Sequence, residues 1–273
     1  MIGFLQSASV ELAKGEKEPL MDILIHHIFD SGEIKLFNLF GLQISITKHV
    51  LVMWIVAVIL ILAVILTARA VKKDKSATGG RFSVLIQLFL DFIHNDIVKP
   101  NFDHSAKKFL PFFCTMFFFI MLCNLLGLIP YSSTVTGNIA VTMSLAIVTF
   151  VFTQIYGMMK QGILKYWIHL VPSGIPKMLW PLMFVIEFVG LFTKPFALTI
   201  RLFANMIAGH IVILVLLYLA TTATGWVSQT GVGIAGGVAA VGVNLLEVFI
   251  ALLQAYIFTF LSAIFISAAG EGH

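Results

Sequence analysis

From His49 to Ala68 the chain runs for twenty residues without an Asp, Glu, Lys or Arg. About twenty predominantly apolar residues is the length an α-helix needs to cross a hydrocarbon layer roughly 30 Å thick. Four further apolar stretches, 109–129, 139–159, 182–222 and 234–267, extend the same reading. Only 11% of the residues are charged and 59% are hydrophobic, against roughly 25% and 45–50% in soluble domains. With a mean hydropathy of +1.01, a soluble enzyme, a disordered chain, a collagen and a nucleic-acid binder are excluded. The expected fold is all-α: a polytopic membrane protein with about five crossings.

Basic residues set its orientation. The first crossing ends in Arg69, Lys72, Lys73, Lys75 and Arg81, and Lys and Arg concentrate in cytoplasmic loops. The N-terminus is therefore expected outside, with 1–46 as an extracytoplasmic segment and 47–273 as a single membrane domain. Glu11, Lys14, Glu16, Lys17 and Glu18 interrupt the first twenty residues, so no secretory signal is read and the N-terminus is expected to be retained. Stretch 82–98 clusters Asp91, His94, Asn95 and Asp96 among Leu and Phe, the pattern of an interfacial amphipathic helix. The segment with Lys160, Lys165, Lys177 and four prolines or glycines reads as a broken cytoplasmic loop. Five crossings leave the C-terminus in the cytoplasm. Cys114 and Cys123 lie on opposite faces of one helix and cannot bridge within it.

The last two apolar stretches exceed a normal span. As a helix, 182–222 would reach roughly 60 Å at 1.5 Å per residue, about twice the hydrocarbon thickness. It must tilt steeply, bend at Pro195 or leave the membrane. Joined by a turn over Thr221–Gly233, the two would form a slanted hairpin.

Ionisable groups inside spans are costly and usually face a protein partner or a watery path. Glu187, Lys194 and Arg201 recur every seven residues, with Asn205 four further on, which holds them on one helix face. In the final stretch Asn244, Glu247 and Gln254 also share a face. Paired positions of an antiparallel hairpin share a constant sum of residue numbers: His210 with Glu247 gives 457, and Arg201 with Gln254 gives 455. The two pairs fit one register. On a straight helix His210 and Arg201 point to opposite sides, so they serve different surfaces.

A guanidinium stays charged at every relevant pH. Arg201 cannot relay protons, but as a fixed cation it favours ionisation of a carboxylate brought beside it. His210 and Glu247 can be tuned towards neutrality and suit a proton path. Structural readings compete: Arg201 in a salt bridge with Glu187 or Glu247, a His210–Glu247 hydrogen bond that fixes the hairpin, Asn205, Asn244 and Gln254 as interhelical glue, and Lys194 snorkelling beside Pro195. His26-His27 with Asp22 and Asp30 fits no zinc template. The glycines of 225–237 contain no phosphate-loop pattern. Neither a metal nor a cofactor is expected.

The run Lys194-Pro-Phe-Ala-Leu-Thr-Ile-Arg-Leu-Phe-Ala-Asn-Met-Ile-Ala-Gly-His210, with Leu253-Gln-Ala-Tyr-Ile-Phe258 and Asn124-Leu-Leu-Gly-Leu-Ile-Pro130, closely resembles subunit a of the F-type ATP synthases. The resemblance extends from about His26 to the C-terminus. It implies a stator subunit, not catalytic alone, whose long slanted helices face a rotating c-ring of small hairpin subunits with lipid-buried carboxylates. It further implies a peripheral-stalk subunit b, the F1 sector, protons and membrane lipid as partners, no nucleic acid, and a bacterial inner membrane. Arg201 matches the family's essential arginine. Asn124, Asn205, His210, Glu247 and Gln254 match positions of the outer half-channel, and Glu187 one of the inner half-channel. Asn244 belongs to the same stripe, with Lys194 and Pro195 as possible supports. Some bacterial members carry glutamate and histidine in reverse at the positions of His210 and Glu247, which makes their proximity the requirement of the path. A self-contained secondary transporter would need a substrate site at broken helices or repeated halves, and no repeated half is visible. A non-conducting scaffold would keep normal proton flux after changes at Arg201, His210 and Glu247.

Overall fold

The computed structural model describes residues 34–39, 42–46, 48–73, 81–129, 135–168, 171, 176, 178–222 and 226–271. Two strands, β1 (Ile34–Leu39) and β2 (Leu42–Ile46), pair antiparallel from Ile34 opposite Ile46 to Leu39 opposite Leu42, with an irregularity between Lys35 and Phe37. This hairpin lies in the N-terminal segment and was not anticipated there. His26 and His27 fall outside the described residues.

The described residues after it are predominantly helical. The long elements are α1 (Lys48–Lys73), α2 (Arg81–Phe92), α4 (Ala106–Gly127), α5 (Ile139–Gln161), α7 (Trp180–Thr222) and α8 (Trp226–Glu271). Short helices α3 (Lys99–Phe102) and α6 (Ile163–Ile168) link them. Five are long and apolar enough to cross a membrane, over Lys48–Leu66, Ala106–Gly127, Ile139–Gln161, Trp180–Ile213 and Val241–Gly270. These are the five stretches that hydropathy marks, and the fold is an all-α polytopic membrane protein.

Two details depart from the sequence reading. The segment expected to be interfacial is helical, but α2 widens into a π-helical turn at Ile93–Val98 that buries Ile93, Ile97 and Val98 while Asp91, Asn95 and Asp96 stay exposed. The turn expected over Thr221–Gly233 is shorter, because α7 continues to Thr222 and α8 already begins at Trp226. Gly231, Gly233, Gly236 and Gly237 therefore lie within α8. Each glycine disfavours helix by about 1 kcal/mol, and α8 nevertheless runs through all four ahead of the Val241–Gly270 span.

The chain divides into two compact units. The first comprises Met1–Val56, Met121–Asn138 and Phe203–Leu253, and the second Ala57–Ile120, Ile139–Leu202 and Gln254–His273. Aromatic packing dominates the second: Phe102 stacks on Phe109 at 4.2 Å between ring centroids, and Phe112 on Phe152 at 4.4 Å. Such pairs add to area burial where no water-driven force separates helix from lipid. Hydroxyls there bond back into their own helices, Thr153 to the carbonyl of Thr149 at 2.8 Å and Ser262 to that of Phe258 at 2.7 Å. This satisfies each polar group without a partner helix. Pro195 lacks the N–H that would bond four residues back, and Thr199 donates its hydroxyl to the Pro195 carbonyl at 2.9 Å. After α5, Gly162 adopts φ +85°, a left-handed conformation that reverses the chain into α6.

Candidate functional site

The two polar stripes occupy different surroundings. On α7, Glu187 is half-buried, while Lys194, Arg201 and Asn205 are exposed. Lys194 places its ammonium 5.5 Å from the centre of the Phe265 ring. Within its own unit Arg201 makes no ion pair with a described carboxylate, Glu187 included. Around it Phe196 is 67% exposed, and Ile200 is exposed too. The guanidinium thus emerges from an apolar surface inside the Trp180–Ile213 span.

On α8 the order reverses. Asn244 is half-buried, Glu247 is only 8% exposed, and Gln254 is buried. Within the first unit, α7 passes Glu247 at Gly209: a β-carbon there would collide with the Glu247 carboxyl group. Only glycine leaves room for that carboxyl, and the contact puts 209 opposite 247, within one residue of the register in which His210 faces Glu247. His210 is helical, but its side chain lies outside the described set.

A third element joins them. Asn124, 1% exposed near the end of α4, donates its amide to the carbonyl of Ala251 at 3.3 Å, one turn beyond Glu247. The Asn124 carbonyl oxygen and both Glu247 carboxyl oxygens are buried without a described partner. Buried polar atoms are nearly always bonded to protein or water. These three acceptors have no donor among the described residues, and water is the ordinary partner of such atoms.

A separate polar region lies in the second unit. A cavity among α5, α6, α7 and α8 is lined by Glu187, Lys194 and Pro195 together with Gln154, Gln161 and Tyr166. The Tyr166 hydroxyl donates to Gln154 at 2.9 Å, and the Gln161 amide donates to the carbonyl of Ala269 at 2.9 Å. None of these last three residues was singled out in the sequence. The signal was present, since Gln154 and Gln161 stand seven apart like Glu187 and Lys194. Glutamine is uncharged, and α5 ends where a polar boundary is ordinary, so the spacing drew no notice. Among the described residues no cluster of His, Cys, Asp and Glu could hold a metal ion, and both cysteines are free and buried.

Five spans carrying one exposed guanidinium, one buried carboxyl group and two polar stripes define a multi-pass helical membrane protein that holds ionisable groups within its apolar layer. Residues 50–267 match the family model described as the ATP synthase A chain. The chain belongs to that family. A protein named ATP synthase subunit a 2 from Chlorobaculum tepidum is 46% identical over 279 aligned positions, covering 98% of this chain and 78% of the relative. Its namesake in Chlorobium luteolum is 44% identical, covering 97% of this chain and 80% of the relative. ATP synthase subunit a of Chloroherpeton thalassium is 45% identical, covering 90% and 75% respectively. Membership makes the chain a multi-pass subunit of the F0 sector, concerned with proton transport and not catalytic alone.

Proposed function

We propose that this chain is the stator that couples proton flow to rotation through two offset half-channels and the fixed charge of Arg201. The observation that carries the reading is the exposure of Arg201 inside an apolar span without a described counter-ion. A permanent cation facing lipid is costly, and such groups normally turn towards protein or water. A surface built this way calls for a partner that brings a carboxylate to it within the membrane. A c-ring of small hairpin subunits supplies such a group, with a peripheral-stalk subunit b and the F1 sector completing the assembly.

Protons enter from outside along Asn124, Asn205, Asn244, His210, Glu247 and Gln254 and neutralise a ring carboxylate. Neutral, that carboxylate crosses the lipid-facing arc. Arriving from the other side, it meets Arg201, which lowers its pKa and drives the proton off towards Glu187. The guanidinium cannot deprotonate, so it blocks direct leakage between the half-channels. One elementary charge moving through 100 mV gains about 2.3 kcal/mol, so several transfers must accumulate for one ATP. The buried, unpartnered acceptors of Asn124 and Glu247 support the outer path. The charge pattern supports a bacterial inner membrane placement with the N-terminus outside and the C-terminus in the cytoplasm, and 47–273 acting as one membrane domain.

ATP-driven acidification of inverted vesicles tests the reading. Complexes with Arg201→Ala, assembled to the same level as the unaltered protein, should not pump. Persistent pumping would exclude this mechanism while leaving family membership untouched.

A further inference from the structure

The cavity in the second unit contains complementary polar atoms with nothing to bind. The amide nitrogen of Gln154 and the amide oxygen of Gln161 are buried without a described partner, one a donor and the other an acceptor. Exchanging nitrogen and oxygen in Gln154 does not remove the problem, because Tyr166 occupies only one end of that amide. Gln161 admits no exchange, because its nitrogen donates to the Ala269 carbonyl. The cavity has a volume of about 70 Å³, several times the roughly 10–15 Å³ that admits one water. A dry cavity would be apolar. This one carries a carboxyl group, an ammonium, two amides and a phenol, the two to four polar partners that a buried water needs.

We propose that this cavity holds a short chain of water joining Glu187 to Gln154, Gln161 and Tyr166, so that these three residues form the continuation of the inner proton path. The inference rests on the half-channel reading above and extends it to residues on α5 and α6. In that chain one water accepts from the Gln154 amide and another donates to the Gln161 carbonyl, with the remaining hydrogens passing to neighbouring waters. Burial raises the pKa of the Tyr166 phenol above its ordinary value, with its bond to Gln154 acting in the opposite direction. Tyr166 is only 4% exposed and its ring lies against Gly157. It therefore keeps its proton at neutral pH and acts as a fixed donor that orients Gln154. Lys160 and Lys165, either side of the turn at Gly162, place this end of the path on the side that positive residues mark as cytoplasmic.

Pulsed hydroxyl-radical labelling of the assembled complex in membranes tests whether the cavity is wet. Radicals generated from bound water should oxidise Tyr166 at a rate typical of exposed tyrosines despite its burial. Gln154→Leu together with Gln161→Leu should slow that oxidation by about threefold or more, since the water loses both anchors. Slow oxidation of Tyr166 in the unaltered complex would overturn the proposal, and this arm needs no variant to fold. Passive proton conduction through membranes stripped of F1 tests the path. Tyr166→Phe keeps the ring seated and should lower conduction by about threefold, with Gln154→Asn closer to normal than Gln154→Leu. Unchanged conduction in assembled variants, alongside slowed oxidation, would show a wet cavity off the path and would also overturn it. Arg201→Ala in the same vesicles separates the two ideas: if that variant pumps, the half-channel reading fails whatever Tyr166 reports.

Discussion

Helices α7 and α8 carry equally sparse polar stripes, yet the structure treats them oppositely. Along α7 three of the four stripe residues are exposed, whereas along α8 Glu247 and Gln254 are buried and Asn244 half-buried. Apolar residues are exposed on both helices, Phe196 at 67% on α7 and Leu245 at 69% on α8, so the difference lies in the polar stripes alone. Burial of a polar stripe within one chain requires internal partners or water, while exposure of one inside the membrane requires another chain. Under the proposed mechanism α8 is the conduit and α7 the moving interface. Each side of that division can be broken separately.

The largest effect belongs to the exposed side. Arg201→Ala should reduce coupled ATP synthesis in vesicles by at least about 100-fold, equivalent to about 2.7 kcal/mol of barrier. Arg201→Lys should be nearly as damaging, because lysine loses the planar fork and can release its proton when desolvated. If lysine restored normal synthesis, point charge alone would suffice and the exposed geometry would carry no special role.

The buried side comes next. Glu247→Gln keeps shape and hydrogen bonding but cannot release a proton, and conduction should fall by about 10- to 100-fold. Exchanging the pair, His210→Glu with Glu247→His, should conduct better than either single change if proximity is what the path needs. A double variant no better than the singles would show that each group is tied to its own helix. Gly209→Ala sharpens the point without touching an ionisable group. Its methyl would displace the Glu247 carboxyl, and forced overpacking of this kind costs about 1–3 kcal/mol. The assembled complex should lose thermal stability and conduct less, whereas Gly242→Ala, whose β-carbon meets nothing nearby, should leave both unchanged.

How much of this was readable beforehand differs along the chain for physical reasons. Spans are legible because lipid imposes one requirement on every residue, and the helices observed over 48–66, 106–127 and 139–161 follow the hydropathy closely. On α7 and α8 the approach of Gly209 to Glu247 falls within one residue of the constant sum that antiparallel pairing predicts. The exposure of Arg201 was not legible, because helical periodicity groups residues on a face without saying what that face meets. The hairpin of β1 and β2 was hidden in a segment judged only by charge and orientation. The early start of α8 was missed because clustered glycines argue for a turn, and helix propensity is a weak prior that tertiary context overrides. Gln154, Gln161 and Tyr166 were missed because their juxtaposition depends on the reversal at Gly162, which brings α6 back against α5.

The smallest expected effect tests whether every charge on the exposed stripe matters. Lys194 sits over the Phe265 ring within the second unit, a contact worth about 0.5–1 kcal/mol at an exposed site. Its flexible stem can carry the ammonium towards the membrane boundary, whereas Arg201 projects from an apolar surface seven residues further along α7. Lys194→Gln should therefore change coupled synthesis by no more than about twofold. Lys194→Glu should do more, because it puts an uncompensated negative charge on the exposed stripe. A loss with Lys194→Gln as deep as that of Arg201→Ala would make the stripe a collective field and would remove the special standing of the one guanidinium without a described counter-ion.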